Sequence, residues 1–355
     1  MSLKILIVAQ NATSRFGGEA FLPLKYFQIL KKRGHVVNLV VHGRNREDLT
    51  EHFSADMASI HFIEDSWLHR QIWRISKVIP RSVADVLVGN ALSLVDDIGQ
   101  ARLIRQLIRQ KQVDIIHQPI PVSPKAPSSI HGFGVPVVMG PMNGGMTYPP
   151  GYQDHQSRAE RHLVAAARQV AVMLNWLIPG KRRAATLVVA NARTRDALPV
   201  SGHPRVVELV ENGVDLGVWR PAPDKPARDR NGPFEIAFAG RLVAWKAMDI
   251  TLEALRLARA DGIDARLSIL GDGPERARLQ AQAQAAGLSD SIRFLGYLPQ
   301  QDCARQMQLA DALILNSVHE CGGAVVLEAM SLGLPVIAAD WGGPADYLDA
   351  TCGVL

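Results

Sequence analysis

Two carboxylates, Glu320 and Glu328, are separated by seven residues in the string HECGGAVVLEAMSLGLPVIAAD (319–340), with Gly322-Gly323 between them. A helix starting near Val325 leaves Glu320 in the preceding loop and sets Glu328 on the first turns. Glycine amides and a helix N-terminus attract an anion such as a phosphate. Carboxylates accept hydrogen bonds from sugar hydroxyls, so the pair could grip a ribose and a hexose on either side of that phosphate. A second cluster, FAGRLVAWKAMD (238–249), carries Arg241 and Lys246 between a strand and a helix that begins near Met248. Arg binds a diphosphate through bidentate hydrogen bonds and Lys as a point charge. In SRFGGEAF (14–21), Gly17 and Gly18 let the backbone approach a ligand closely at a strand-to-helix turn. ILGDGPER (269–276) is a further turn of this kind, with Pro274 at the first helical position. Taken singly, each glutamate or cation is also what a solvated surface residue looks like, and each glycine pair what a tight turn looks like.

These residues need elements to position them. Short apolar runs alternate with helical stretches: 4–10, 36–43, 114–119, 135–141, 186–192 and 205–213 read as strands, and 20–32 as a helix ending at Gly34. Residues 65–78 and 91–112 read as helices with mixed apolar and basic faces. The Pro-, Gly- and charge-rich stretch 211–233 has the texture of a linker. The alternation then restarts, with strands at 234–241, 265–273, 291–299, 312–317 and 335–340. This pattern predicts an α/β protein with two doubly wound, Rossmann-like parallel sheets facing across a cleft. Residues 1–210 form the first domain, 211–233 the linker and 234–355 the second domain. Ligands of such sheets bind at the carboxyl ends of the strands, where all four motifs fall.

The chain has 355 residues, enough for two cores, and 47% apolar against 21% charged residues excludes a disordered chain. Its net charge is only +5, but residues 1–210 hold 26 basic and 15 acidic side chains, against 13 and 19 in 211–355. The basic half suits an anionic partner; without a recognisable nucleic-acid module, nucleic acid is not expected. Three cysteines, all in the second half, cannot build a disulfide framework and fit a reducing cytosol. The longest apolar stretch, 163–178, is interrupted by Arg168 and Gln169 and falls short of the ~20 residues of a membrane span.

Together, FGGEA, NGVD (212–215), the Arg241…Lys246 pair, GDGPER and the Glu-x7-Glu segment followed by GLPVIAAD resemble the retaining nucleotide-sugar glycosyltransferases of family 4, which have the two-domain GT-B fold. The resemblance covers almost the whole chain. It implies that Gly17 and Gly18 approach the phosphates of the donor, and that Arg241 and Lys246 neutralise the diphosphate leaving group. Glu320 would contact the transferred sugar, the amides of Gly322, Gly323, Ala324 and Val325 its hydroxyls and phosphate, and Glu328 the ribose. His117 would be a catalytic residue, although the second histidine that many relatives carry two positions on is here Pro119. Relatives continue beyond the last strand with helices that cross back to the first domain, so the C-terminal end reads as truncated at Leu355.

The resemblance implies a hexosyltransferase working by front-face attack with retention, the departing diphosphate helping to take the acceptor's proton. Stabilisation would come from fixed cations and amides. No cofactor and no metal are expected, since there is no ligand cluster and no Asp-x-Asp pair. The donor would be a UDP- or GDP-linked sugar, and the acceptor, on the first domain, a saccharide or lipid-linked saccharide of surface-polysaccharide assembly. Segment 158–183, with Arg158, Arg161, Arg168 and KRR at 181–183 around Leu163, Val170, Met173, Leu174 and Trp176, could be an interfacial helix on an anionic membrane. Trp67, His69, Arg70, Trp73, Arg74 and Lys77 form a second basic-aromatic patch. The protein would then be cytoplasmic and peripheral at the inner membrane face. Core packing of the same apolar positions is the competing reading. The alternatives are a soluble-acceptor glycosyltransferase, a sugar-nucleotide epimerase and a catalytically silent nucleotide-sugar-binding subunit.

Overall fold

A computed structural model describes residues 2–13, 18–67, 71, 96–97, 99–155, 169–222 and 232–355. These divide into two compact units, Met1–Gly145 with Ala159–Glu211, and Met146–Arg158 with Asn212–Leu355. The short excursion from Met146, grouped by sequence with the first half, packs with the second unit.

The first unit is built on seven parallel strands in the order β3-β2-β1-β4-β5-β6-β7. These are β1 (Lys4–Val8), β2 (Val36–His42), β3 (Ile60–Ile63), β4 (Ile115–Gln118), β5 (Val137–Met142), β6 (Thr186–Val189) and β7 (Val206–Glu208). The run Ile5–Val8 is apolar at every position because both faces of the strand are covered. Leu6 and Val8 pack with Ile104, Ile116 and Leu187 on one side. Ile5 and Ile7 pack with Leu24, Phe27 and Leu39 on the other. Phe27 and Leu24 come from α1 (Leu22–Lys32), whose chain reverses at Gly34 with φ of 85°. The remaining helices are α2 (Arg46–His52), α3 (residues 99–111), α4 (residues 169–177), α5 (Gly180–Arg183) and α6 (Ala192–Asp196).

The second unit carries six parallel strands ordered β10-β9-β8-β11-β12-β13. They are β8 (Phe234–Ala239), β9 (Ala265–Leu270), β10 (Ile292–Gly296), β11 (Ala312–Leu315), β12 (Val336–Ala338) and β13 (Gly353–Val354). The connecting helices are α7 (Met248–Ala260), α8 (Arg276–Ala285), α9 (Gln300–Gln308), α10 (Ala324–Ser331) and α11 (Gly343–Tyr347). Pro274 lies in the turn before α8 rather than at its first position. Phe238, Ile269, Leu313 and Val326 are fully buried in one core, each such side chain contributing about 1.5–3 kcal/mol. Both strand orders reverse direction once, between β1 and β4 in the first sheet and between β8 and β11 in the second. At such a reversal the flanking loops diverge and leave a crevice beyond the strand ends. Among the described residues, no helix is long and apolar enough to cross a membrane.

Candidate active site

Beyond β8 the chain runs through Gly240 and Arg241 into a short 3-10 turn, Ala244–Lys246, and enters α7 through Ala247. Ala247 is buried with φ of 50°, a left-handed conformation that costs a residue with a Cβ about 1 kcal/mol and turns the chain sharply after Lys246. Beyond β11, residues 316–323 lead to α10, and Gly323 at its N-cap has φ of 71°. Because β8 and β11 are neighbours, these two loops meet: Val318 N donates to Trp245 O at 2.9 Å. Asn316 Nδ2 also donates to Thr251 Oγ1, on α7, at 3.2 Å. Between the loops Lys246 Nζ donates to Glu320 Oε2, the two side chains being 14% and 17% exposed. Arg241, five residues before Lys246 in the chain, is exposed.

Glycines hold both loops from behind. A Cβ on Gly271 would sit 1.9 Å from Gly240 O, and one on Gly273 2.2 Å from Leu242 O. The GDG turn thus packs its bare backbone against the loop that carries Arg241, with Leu242 N donating to Asp272 O at 3.0 Å. Gly342 and Gly343 do the same for the Glu320 loop: their Cβ atoms would each fall 2.3 Å from a carbonyl, of Glu320 and Gly322 respectively. Gly343 N donates to Glu320 O at 2.8 Å. Beside them, Trp341 Nε1 donates to Thr147 O at 2.8 Å, and the Tyr148 ring packs on His319 at 4.9 Å.

The sequence profile of the glycosyl transferases group 1 family matches residues 222–354, the stretch that contains all of these loops. Glycogen synthase of Mycobacterium tuberculosis is 30% identical over 195 residues, which are 53% of this chain and 46% of that protein. The 2-deoxystreptamine glucosyltransferase of Streptomyces kanamyceticus is 33% identical over 187 residues, 50% of this chain and 47% of that protein. The chain therefore spans about half the length of these curated relatives. The crystal structure of Anabaena Alr3699/HepE in complex with UDP superposes with a TM-score of 0.64 at 17% identity, covering 100% of this chain and 85% of that one. At that identity the likeness establishes the fold, which is GT-B.

Of the residues singled out within 222–354, the structure brings Lys246 and Glu320 together at the β8–β11 reversal. Gly322 and Gly323 are buried, Ala324 and Val325 open α10, and Glu328 follows Ala324 by four positions and so shares its helix face. Burial, and then the charge of Glu328, push the Cys303 thiol up to about 12, which places Glu328 near α9. Gly342 and Gly343 were not singled out by sequence; WGGP reads as an ordinary turn until the carbonyls it covers are known. Among the described residues, no group of three or more His, Cys, Asp and Glu could hold a metal ion.

The remaining candidates lie in the first unit. Gly18 opens a 3-10 turn before α1, while Gly17 lies outside the described residues. Sequence reading passed over Glu19 of the same motif. Its Oε1 accepts from Val122 N at 2.9 Å, tying the loop after β1 to the loop after β4. His117 donates from Nε2 to Gly140 O at 2.7 Å and meets the edge of Tyr26 at 4.6 Å. Desolvation pulls its pKa down, the bond to Gly140 opposing in part, so a neutral ring with one nitrogen engaged is what this environment favours. In the basic-apolar segment, Arg158, Arg161, Leu163 and Arg168 lie outside the described residues, as do His69, Arg70, Trp73, Arg74 and Lys77 of the second patch. Val170, Met173 and Trp176 on α4 are exposed, as is Trp67. Lys181 departs from the surface reading of KRR: it is 3% exposed and donates to Ser123 O and Pro124 O. Burial lowers its pKa to about 7.

Proposed function

We propose that the protein transfers a hexose, with retention of anomeric configuration, from a nucleoside diphosphate sugar to a saccharide or lipid-linked saccharide. The observation that carries this reading is the Lys246–Glu320 pair at the strand-order reversal, on loops that also carry exposed Arg241 and the glycine-turned start of α10. Arg241 and Lys246 receive the charge that develops on a departing diphosphate. The amides of Gly323 to Val325 add partial positive charge without a metal. Glu320, oriented by Lys246, accepts from hydroxyls of the transferred sugar, and Glu328 accepts from the ribose. No side chain is assigned as a covalent nucleophile; the acceptor attacks from the face the diphosphate leaves, and a phosphate oxygen takes its proton. The match of residues 222–354 to the glycosyl transferases group 1 model, the motifs resembling family 4, and the UDP found in the Anabaena protein support a nucleotide donor.

An acceptor at an anionic membrane surface is supported by α4, where Val170, Val172, Met173, Trp176 and Leu177 are exposed ahead of Arg182 and Arg183. Such a face inserts apolar side chains among lipid headgroups while its arginines meet the phosphates.

Calorimetric titration of wild type and Lys246→Ala with UDP and with GDP tests the donor assignment. Binding of one nucleotide that is lost in the variant is expected. Failure of wild type to bind either would overturn the reading.

A further inference from the structure

A pocket of about 440 Å³ opens on the second unit, lined by Tyr148, Tyr152, Trp245, Asp249, Arg278 and Val318 among others. Its walls belong to the loops that hold the ion pair. Trp245 precedes Lys246, Val318 stands two residues before Glu320, and Tyr148 packs on His319. The Trp245 indole is 43% exposed. At the rim, Arg278 Nε donates to Glu275 at 2.6 Å and its guanidinium lies 3.9 Å from Asp249. Among the lining side chains the charges balance, Asp249 against Arg278.

We infer that this pocket binds a sugar ring of a neutral saccharide acceptor, an inference that rests on the function proposed above. A pyranose presents an apolar C–H face bounded by hydroxyls. Three aromatic side chains with charged groups at the edge match both parts: the rings take the face, Asp249 accepts from hydroxyls and Arg278 donates to them. The size suits one or two rings. With one carboxylate and one guanidinium paired to it, the lining has no net charge to attract phosphates, unlike the cationic Arg241–Lys246 site. Trp245 in the pocket wall is adjacent in sequence to Lys246. Segment 141–150, PMNGGMTYPP, supplies Tyr148, its one aromatic residue, to this wall.

The test titrates the full chain with maltotriose, mannotriose and galactotriose by calorimetry, and separately with UDP and GDP. At least one trisaccharide is expected to bind wild type, with affinity falling about tenfold in Tyr152→Ala and in Trp245→Ala. Tyr152→Ala is expected to leave nucleotide affinity within about twofold and the melting temperature unchanged. No binding of any trisaccharide at about 20 mM, or equal binding by wild type and both variants, would overturn the inference. Displacement of the trisaccharide by nucleotide would assign the aromatic walls to a base instead and would likewise overturn it. Saccharide binding that persists while neither UDP nor GDP binds would refute the proposed donor chemistry but not the pocket.

Discussion

Lys246 donates to Glu320 across the junction of β8 and β11, so the proposed diphosphate cation and the proposed sugar-binding carboxylate hold one another in place before any ligand arrives. Neither side chain is more than 17% exposed, so deleting one strands the other in a poorly hydrated setting. Each single variant, Lys246→Ala or Glu320→Ala, is expected to lose roughly 1–3 kcal/mol of stability and about a hundredfold in turnover. The double variant should recover part of the stability and none of the turnover. Thermal melts and rates in a double-mutant cycle read both quantities; strictly additive stability losses would break the claim of coupling.

The glycines behind the Glu320 loop make a second prediction. Gly343→Ala puts a methyl group 2.3 Å from Gly322 O, an overlap that only backbone movement relieves. It should cost about 2–4 kcal/mol and weaken nucleotide binding, because the carbonyl it displaces is part of the α10 entry. Gly333→Ala, with φ of 69° but nothing within 4 Å, carries strain alone and should cost about 1–2 kcal/mol without touching affinity. Equal effects of the two substitutions on nucleotide affinity would show that loop packing does not set the site.

Lys181 makes stability depend on pH. Its folded pKa of about 7 lies below the ordinary lysine value, so between the two the unfolded chain binds more protons than the folded one. Stability must therefore rise as pH increases from about 7 towards 10, and the penalty of burying the charge is fully present below 7. Lys181→Met should flatten that rise. Chemical denaturation of both proteins at pH 6.5, 8 and 9.5 reads it, and parallel slopes would contradict the assignment.

For α4, the membrane reading predicts that Met173→Asp and Trp176→Asp together reduce co-sedimentation with anionic vesicles about tenfold or more. Neutral vesicles should bind wild type far less. Indifference of wild type to lipid charge would remove the support for an acceptor at the membrane.

Much of the fold is legible in the sequence because strands covered on both faces are written as unbroken apolar runs. Ile5 to Val8 and Ala312 to Leu315 are such runs, and neither needs distant information to be recognised. β3 escaped because Ile60–Ile63 is four residues long with two of them half-buried, too short for a period to show. Arg241, Lys246, Glu320 and Glu328 were singled out by residue type near glycines at strand-to-helix turns. Glu19, Gly342 and Gly343 were not, since their significance lies in which backbone atoms they meet: Val122 N, Glu320 O and Gly322 O. Lys181 in KRR looked like surface charge, and only the carbonyls of Ser123 and Pro124 above it make burial tolerable.

The sequence by itself determined the alternation of strand and helix, the two-part division and the chemical character of each loop, because these follow from local periodicity and residue type. The tertiary structure decided which loops meet. Lys246 and Glu320 are 74 residues apart, with β9, β10 and β11 between them in the chain. They touch because β9 and β10 pair outward on one side of β8 while β11 pairs on the other. That order is set by hydrogen bonds and burial between whole strands, and no single segment carries it.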